Sequence, residues 1–280
     1  RYDLPWIADL RDPWTNIHYY DQLYHTPIAK RIDRKYELQV LERADAVIVT
    51  SEDTKRLFLN KPAKIDPNKI HVIPNGYDED DFIYPSTPPQ DELLITYTGT
   101  ITENYNIDVF LKVISQLRSV NSDIRYKLRF IGKVSAGVKQ RISKAGLEGM
   151  TEFVPHVPHT EAIKYLMEST MLLMAIADVP AVYSNVPGKL FEYLASNKPI
   201  ICLGPVHSDT DRIIDECGAG RLFHYTAHEL MLDHMMLMSK AWSINPNLDL
   251  PYLNHAQFSR RELTEKLAKV VKRLVVKAKV

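Results

Sequence analysis

The chain has few cysteines and no long apolar run. Only Cys202 and Cys217 occur among its 280 residues, and neither has another cysteine nearby. This spacing excludes a disulfide scaffold and a cysteine-based zinc site, and it favours a reducing, cytoplasmic setting over secretion. No apolar run approaches the roughly 18 to 20 residues that span a bilayer. The sequence therefore predicts a cytoplasmic protein without a membrane span.

An excess of either charge is also absent, because 35 basic residues balance 35 acidic ones. This balance argues against a nucleic-acid partner. The chain lacks G-x-G-x-x-G, G-x-x-x-x-G-K-[ST] and G-x-S-x-G loops, which disfavours dinucleotide dehydrogenases, P-loop NTPases and hydrolases with a nucleophile elbow. The pairs His156/His159 and His224/His228 lack a cysteine or acidic ligand at a recognised spacing, so we predict no metal site and no cofactor.

Strand-like and helix-like segments alternate along the chain, which is typical of parallel α/β sheets. The series from Leu93 to His224 predicts a complete, Rossmann-like, doubly wound domain. The residues before it supply only about three strands, too few to bury both faces of a comparable sheet. The polar, proline-containing stretch Asp78–Glu92 is the best candidate linker. Because the first residues read as the approach to a buried strand, we expect the chain to begin within a longer gene product.

The last helix is strongly basic and leaves two interpretations open. It carries eight basic residues against Glu262 and Glu265. One interpretation is contact with an anionic membrane surface, which would make the protein peripheral to the inner face of a membrane. The other is an ordinary solvated face around the apolar stripe of Leu263, Leu267, Val270 and Leu274.

The most informative segment runs from Tyr183 to Ile200. Pro187 suits the first position of a helix, and Gly188 leaves the backbone bare beside it. The amides of that first turn, together with Lys189, predict an anion site. Glu192 follows one turn later and could accept hydrogen bonds from a diol, as a nucleoside diphosphate would require. The alternative is a plain capped helix with a surface glutamate.

The run PGKLFEYLASNKPI, Pro187–Ile200, resembles the signature of family 4 glycosyltransferases, which have the GT-B architecture of two Rossmann-like domains. The segments ADAVIVTSE, KIHVIPNGYD and ITYTGTI resemble that family in the same order. FVPHVPHTEAIKYL, Phe153–Leu166, resembles the strand, turn and helix that hold the nucleobase there. The resemblance covers essentially the whole chain.

This resemblance implies a role for each matching residue. Glu192 matches the second glutamate of the family's E-x7-E motif and would bind the ribose hydroxyls of the donor. Lys189 would face the diphosphate, and we assign catalysis to Lys189 and Glu192. The other implied donor contacts are Pro187 and Gly188 at the diphosphate, His156 and Val157 at the base edge, and Gly99 and Thr100 at the end of the first strand of the donor domain.

Three positions depart from the family pattern. Ser184 stands where the first glutamate of E-x7-E would fall. Thr100 and Tyr105 stand where many members have an arginine and a lysine that clamp the diphosphate. We hypothesise that Lys189, together with Lys133, supplies the missing positive charge, aided by the helix terminus.

The sequence thus predicts a glycosyltransferase that moves a sugar from a nucleoside-diphosphate sugar to a hydroxyl of a glycan or lipid-linked acceptor, with retention. Residues 1–84 would be the end of an acceptor domain with its linker, 85–235 the donor-binding domain, and 236–280 helices packing back across the domains. Without a complete opening domain the chain would bind nucleotide but transfer nothing. The alternatives are a non-catalytic nucleotide-sugar binding module of a polysaccharide assembly complex, or a sugar-nucleotide epimerase of GT-B type.

Overall fold

A computed structural model of the protein describes residues 4–17, 20–83, 86–121, 123–179, 186–248, 250 and 254–277. The described residues form two compact units. Unit 1 contains those of Arg1–Tyr77, Val179–Val186 and Ala256–Val280, and unit 2 contains those of Asp78–Asp178 and Pro187–His255. The predicted division at residues 84 and 235 stays a prediction.

Unit 1 is a three-stranded parallel sheet between helices. Its strands, in spatial order, are β1 (Ile7–Leu10), β2 (Ala46–Val49) and β3 (Ile70–Val72), and its helices are α1 (Pro27–Arg43), α2 (Glu52–Leu59) and α9 (Arg260–Lys277). Alternate side chains of a strand point to opposite faces. Val47 and Val49 accordingly pack against residues of α1 and α2, whereas Ile48 packs against α9. The sequence predicted these three strands.

Unit 2 is built on a six-stranded parallel sheet in the order β6-β5-β4-β7-β8-β9. This doubly wound Rossmann-like arrangement confirms the predicted fold class. The strands are β4 (Leu93–Thr98), β5 (Tyr126–Ile131), β6 (Thr151–Val154), β7 (Met171–Ala175), β8 (Ile200–Leu203) and β9 (Gly220–Phe223). The helices are α3 (Asp108–Val120), α4 (Ala136–Lys144), α5 (His159–Met167), α6 (Lys189–Ala195), α7 (Asp209–Glu216) and α8 (His228–Ile244).

Short polar residues determine where several of these helices begin. The side-chain oxygens of Ser51, Ser135 and Ser208 each accept the backbone N–H three residues later, at the starts of α2, α4 and α7. Each such bond satisfies one amide that the helix itself leaves unpaired. Helix α6 differs, since no side chain caps its first turn.

The strand order reverses between β4 and β7. β4 pairs with β5 over all six of its residues, but it pairs with β7 only at Ile95 and Thr96. The ladder between β4 and β7 therefore ends two residues before the end of β4. In open parallel sheets, ligands bind at the carboxyl edge where the strand order reverses. The fold thus directs attention to the residues that follow Thr96.

Candidate functional site at the carboxyl edge of the six-stranded sheet

Lys189, the first residue of α6, extends its side chain onto the end of β4. Its Nζ donates hydrogen bonds to the Tyr97 hydroxyl at 2.8 Å and to the Thr98 carbonyl at 2.9 Å. It also lies 4.1 Å from the centre of the Tyr97 ring. Burial lowers the pKa of Lys189 to about 8, while nearby Glu192 favours the charged form. A side chain whose positive charge depends on pH near 8 therefore lies where the strand order reverses.

Two buried tyrosines hold this edge together. The Tyr193 hydroxyl accepts the Thr98 N–H at 2.9 Å and donates to the Leu173 carbonyl at 3.3 Å. It therefore joins β4 to β7 just where their ladder stops. The Tyr97 hydroxyl donates to the Thr100 carbonyl at 2.9 Å. Burial raises the pKa of Tyr97 and raises that of Tyr193 to about 12, so both keep their protons as donors.

Two glycines, Gly99 and Gly132, leave the backbone near Lys189 without side chains. Gly99, which ends β4, has a φ of +104°, and a methyl group added there would lie 3.4 Å from the Lys189 Nζ. Gly132, which ends β5, has a φ of +113°, and a methyl group there would lie only 2.7 Å from the Gly99 carbonyl oxygen. Both conformations favour glycine, and the second leaves no space for any other residue. The structure thus brings together predicted site residues Gly99 and Lys189.

Thr100 and Lys133 lie immediately beyond these glycines, and both are exposed. The Lys133 carbonyl accepts the Ile101 N–H at 2.9 Å, which keeps the two loops side by side. The ammonium group of Lys133 is therefore carried on the loop next to the one that holds Gly99. Tyr105, the other departure from the family pattern, packs against the core of unit 2 and supplies no charge.

The turn before α6 is open. Pro187 is partly buried, and Gly188 adopts ordinary helical angles, with φ −56° and ψ −34°. A methyl group added at Gly188 would meet no atom of the described residues within 4 Å. Predicted site residue Ser184 lies outside the described residues. A ligand group would find room beside Gly188 without any backbone rearrangement.

Glu192, one turn into α6, is held by a histidine. Its Oε1 lies 3.0 Å from the His159 Nε2, and the His159 Nδ1 lies 3.8 Å from the Asp81 Oδ2. The Glu192 side chain keeps 32% of its surface exposed. A carboxylate accepts about four hydrogen bonds, so this contact orients Glu192 and still leaves it acceptor capacity. A partly exposed, oriented carboxylate can bind a pair of hydroxyl groups.

The predicted base-contacting residues lie on the loop between β6 and α5. His156 is exposed and Val157 is partly buried. His159, which begins α5, connects this loop to Glu192. Four residues at this edge were not among the predicted donor contacts: Asp81, Tyr97, His159 and Tyr193. Three of them had a signal, because they lie within segments that resemble the family: His159 in FVPHVPHTEAIKYL, Tyr97 in ITYTGTI and Tyr193 in PGKLFEYLASNKPI.

The start of α4 already holds a carboxylate from within the protein. The Glu103 side chain accepts the Gly137 N–H at 3.2 Å. A hydrogen bond from Ser135 lowers the pKa of the Glu103 carboxyl group. The first turn of α4 therefore already has an anionic partner, and no sequence motif predicted this contact.

Within the described ranges, no group of three or more histidine, cysteine, aspartate or glutamate residues is placed to hold a metal ion. His224 pairs with Thr226 and His228 with Glu229, each close in sequence. Among the same residues, no helix combines the length and the apolar character that crossing a bilayer requires.

Two family models match the chain. The profile of the family described as Glycosyl transferases group 1 matches residues 78–245, and that of Glycosyltransferase Family 4 matches residues 2–81. Because the first match covers more than half of the sequence, the chain belongs to the glycosyl transferases group 1 family. It is a family 4-like glycosyltransferase of GT-B architecture, as predicted. No curated protein sequence matches it.

Three solved structures illustrate the likeness. Sucrose-phosphate synthase from Thermosynechococcus elongatus is 17% identical with a TM-score of 0.68, over 99% of this chain and 69% of that one. Anabaena HepE in complex with UDP-glucose is 13% identical with a TM-score of 0.64, over 96% and 72%. WaaG, a glycosyltransferase involved in lipopolysaccharide biosynthesis, is 14% identical with a TM-score of 0.63, over 95% and 75%.

At these identities the likeness shows the fold alone. The chain also spans less than the full length of these proteins, and only 48% of S. aureus TarM, another structure that it matches. The substrates of this chain must therefore be argued from its own residues.

Proposed function

We propose that the chain binds the nucleoside-diphosphate sugar of a glycosyl transfer reaction at the carboxyl edge of the six-stranded sheet, around Lys189. One observation carries the proposal. The Lys189 ammonium lies where β4 and β7 part, beside the bare backbone of Gly99 and the open turn at Gly188. A diphosphate needs positive charge and close backbone approach, and this edge offers both.

Lys189 stabilises the leaving nucleoside diphosphate as the bond to the sugar breaks. Positive charge placed in advance at the developing anion lowers the barrier without reorganisation of the site. With a pKa near 8, Lys189 keeps its proton at neutral pH, and a bound diphosphate strengthens that preference. Lys133 adds a second, exposed positive charge from the neighbouring loop. Lys189 and Lys133 together replace the arginine and lysine charges that many family members carry at the positions of Thr100 and Tyr105.

Glu192 binds the ribose of the donor. Its carboxylate accepts hydrogen bonds from the two ribose hydroxyls, while His159 holds Oε1 from the other side. The base lies against the loop of His156 and Val157 and is contacted largely through backbone groups. This order of diphosphate, ribose and base follows the edge of the sheet from α6 towards β6.

The sugar is transferred with retention to a hydroxyl of a glycan or lipid-linked acceptor, without a metal ion or a cofactor. The UDP-glucose bound to HepE and the lipopolysaccharide biosynthesis named for WaaG support this class of donor and acceptor. The basic face of α9 is a candidate contact for an anionic membrane surface near such an acceptor.

One observation favours a second candidate, a nucleotide-sugar binding module without turnover. The positions of the family's diphosphate-clamping arginine and lysine carry Thr100 and Tyr105, and the Lys189 ammonium already has two oxygen partners. Such a site could bind a donor and fail to drive its cleavage.

The test is to titrate UDP-, GDP- and ADP-sugars by calorimetry and then to incubate the best ligand with glycan and lipid-linked acceptors. Binding followed by release of free nucleoside diphosphate only with an acceptor supports the transferase. Tight binding without release supports the binding module. If none of the sugar nucleotides binds, the proposed donor site is wrong.

A further inference from the structure

Helix α8 is apolar on two opposite faces. Its inner face buries Met231, Met235 and Trp242 in the core of unit 2. Its outer face carries Leu230, Leu237 and Ile244, which are 55%, 68% and 80% exposed. These three residues are seven positions apart, so they form one stripe along a helix of about 3.6 residues per turn. Residues seven positions apart occupy one of the two positions that face the partner helix in a seam between two helices.

The stripe continues into a groove beside α8. A cavity of about 710 Å³ lies between α8 and the end of α3, and Met236, Val120 and Ile124 contribute apolar surface to it. Val120 is 64% exposed and Met236 43% exposed. Contiguous exposed apolar surface of this kind marks an interaction site more often than scattered single residues do.

Charged residues on the same face indicate what covers it. Asp233 lies one turn before Leu237, and Lys240 lies almost one turn after it, both exposed and on the same flank of the stripe. If a second α8 lies antiparallel to the first and is centred on Leu237, Leu230 faces Ile244 of the second copy. The two-fold axis places the same flank of both helices on one side of the contact. Asp233 of each copy therefore comes within reach of Lys240 of the other copy, which gives two such pairs.

We propose that the outer face of α8 is a homodimer contact in which two copies of this chain pack α8 against α8, antiparallel about Leu237. The pairing of Asp233 with Lys240 forms only in this orientation, since the two-fold axis of a parallel pair would put these residues of the two copies on opposite flanks of the contact. The contact consists of one helix from each copy, whereas a standard interface buries roughly 800 Å² and about 20 to 30 residues on each side. The dimer is therefore weak, and its population depends on protein concentration.

The first experiment is sedimentation velocity of the full chain over a range of concentrations. The expected result is a monomer–dimer equilibrium that Leu237→Glu, and separately Ile244→Glu, abolish. Both positions are exposed, so circular dichroism melts should match those of the unmodified protein. Lys112→Glu on the exposed side of α3 is the matched control and should leave the equilibrium unchanged. A protein that stays monomeric at every concentration would overturn the proposal.

The second experiment tests the orientation by charge reversal. Asp233→Lys alone and Lys240→Asp alone each place like charges together twice, and each should weaken the dimer several-fold. The double variant restores opposite charges at both places and should recover the dimer. Failure of the double variant to recover, or a dimer that survives Leu237→Glu, would mean that another surface mediates association. Binding of the monomer to anionic vesicles through the same leucine would likewise overturn the assignment to a second copy.

Discussion

Helices α4 and α6 of unit 2 both begin at the carboxyl edge of the sheet, and their first turns differ in charge. The first turn of α4 is capped by Ser135 and holds the Glu103 carboxylate. The first turn of α6 has no side-chain cap, is open at Gly188 and carries Lys189. A first turn that already binds a carboxylate of the protein is less able to bind a second anion. Of these two helix starts, α6 is therefore the one suited to bind an external anion, because it combines an uncapped, open turn with a lysine.

The largest expected effect comes from removing the cation at α6. Lys189→Met should weaken binding of the nucleoside diphosphate by about 10- to 100-fold, because a hydrogen bond to a charged group contributes about 1.5–3 kcal/mol. Calorimetric titration measures this loss. Methionine keeps most of the buried volume but removes the donor to the Tyr97 hydroxyl and the Thr98 carbonyl, so the thermal unfolding midpoint should fall modestly while the cooperative unfolding transition is retained. Undiminished affinity in the variant would remove the basis of the proposed site.

The lowered pKa of Lys189 predicts that nucleotide affinity depends on pH. Its pKa is lowered to about 8, so it is charged below that pH and neutral above it. Affinity for a nucleoside diphosphate should therefore fall about tenfold as the pH rises from about 7 to about 9. Titrations across this range should show the fall in the unmodified protein and not in Lys189→Met. An equal fall in both would assign it to another group or to the nucleotide.

Glu192→Gln should weaken nucleotide binding by about 5- to 10-fold, since an amide replaces an ionised acceptor of the ribose hydroxyls. The unmodified protein and the variant should bind a 2′,3′-dideoxy nucleotide with the same affinity. A loss that is equally large with the dideoxy nucleotide would mean that Glu192 acts on the fold and not on the ribose.

A methyl group added at Gly188 tests whether the ligand approaches the turn before α6. Gly188→Ala suits the helical angles of that residue and should raise stability by up to about 1 kcal/mol, yet it should reduce nucleotide affinity a few-fold by crowding the ligand. Gly149→Ala is the matched control, because a methyl group there also meets no described atom within 4 Å. An affinity unchanged by Gly188→Ala would show that the ligand does not approach this turn.

The smallest effect is expected at α4. Glu103→Gln should lower the thermal unfolding midpoint slightly, because its carboxylate accepts the Gly137 N–H and a Ser135 hydrogen bond, and it should leave nucleotide affinity unchanged. Differential scanning calorimetry and nucleotide titration measure the two quantities. A gain in nucleotide affinity would indicate that the diphosphate binds at the start of α4 and not at the start of α6.

The strands and helices were predictable because each is encoded locally. The alternation of strand-like and helix-like segments predicted about three early strands and a parallel series from Leu93 to His224, and the structure describes three strands and six strands in these two parts. Helix α6 was predicted from Pro187, but it begins at Lys189, since Pro187 and Gly188 form the turn before it. Helix ends depend on individual hydrogen bonds, which periodicity does not specify.

Parts of the candidate site could not be predicted, because they depend on residues far apart in the chain. Tyr193 meets Thr98 across 95 positions, and Lys189 meets Tyr97 across 92. His159 reaches Glu192 from a different helix. Periodicity and motif spacing describe neighbours along the chain, so neither indicates which distant side chains share a hydrogen bond.

The amino-acid sequence by itself determined the α/β class, the order of the strands along the chain, and the PGKLFEYLASNKPI segment by which the family is identified. These are properties of short stretches, in which side-chain period and turn chemistry act over a few residues. Only the tertiary structure decided that β4 and β7 part after Thr96, that Lys189 lies at this gap with a lowered pKa, and that Glu103 occupies the start of α4. Such features depend on burial and on contacts between distant segments, and these exist only once the chain has folded.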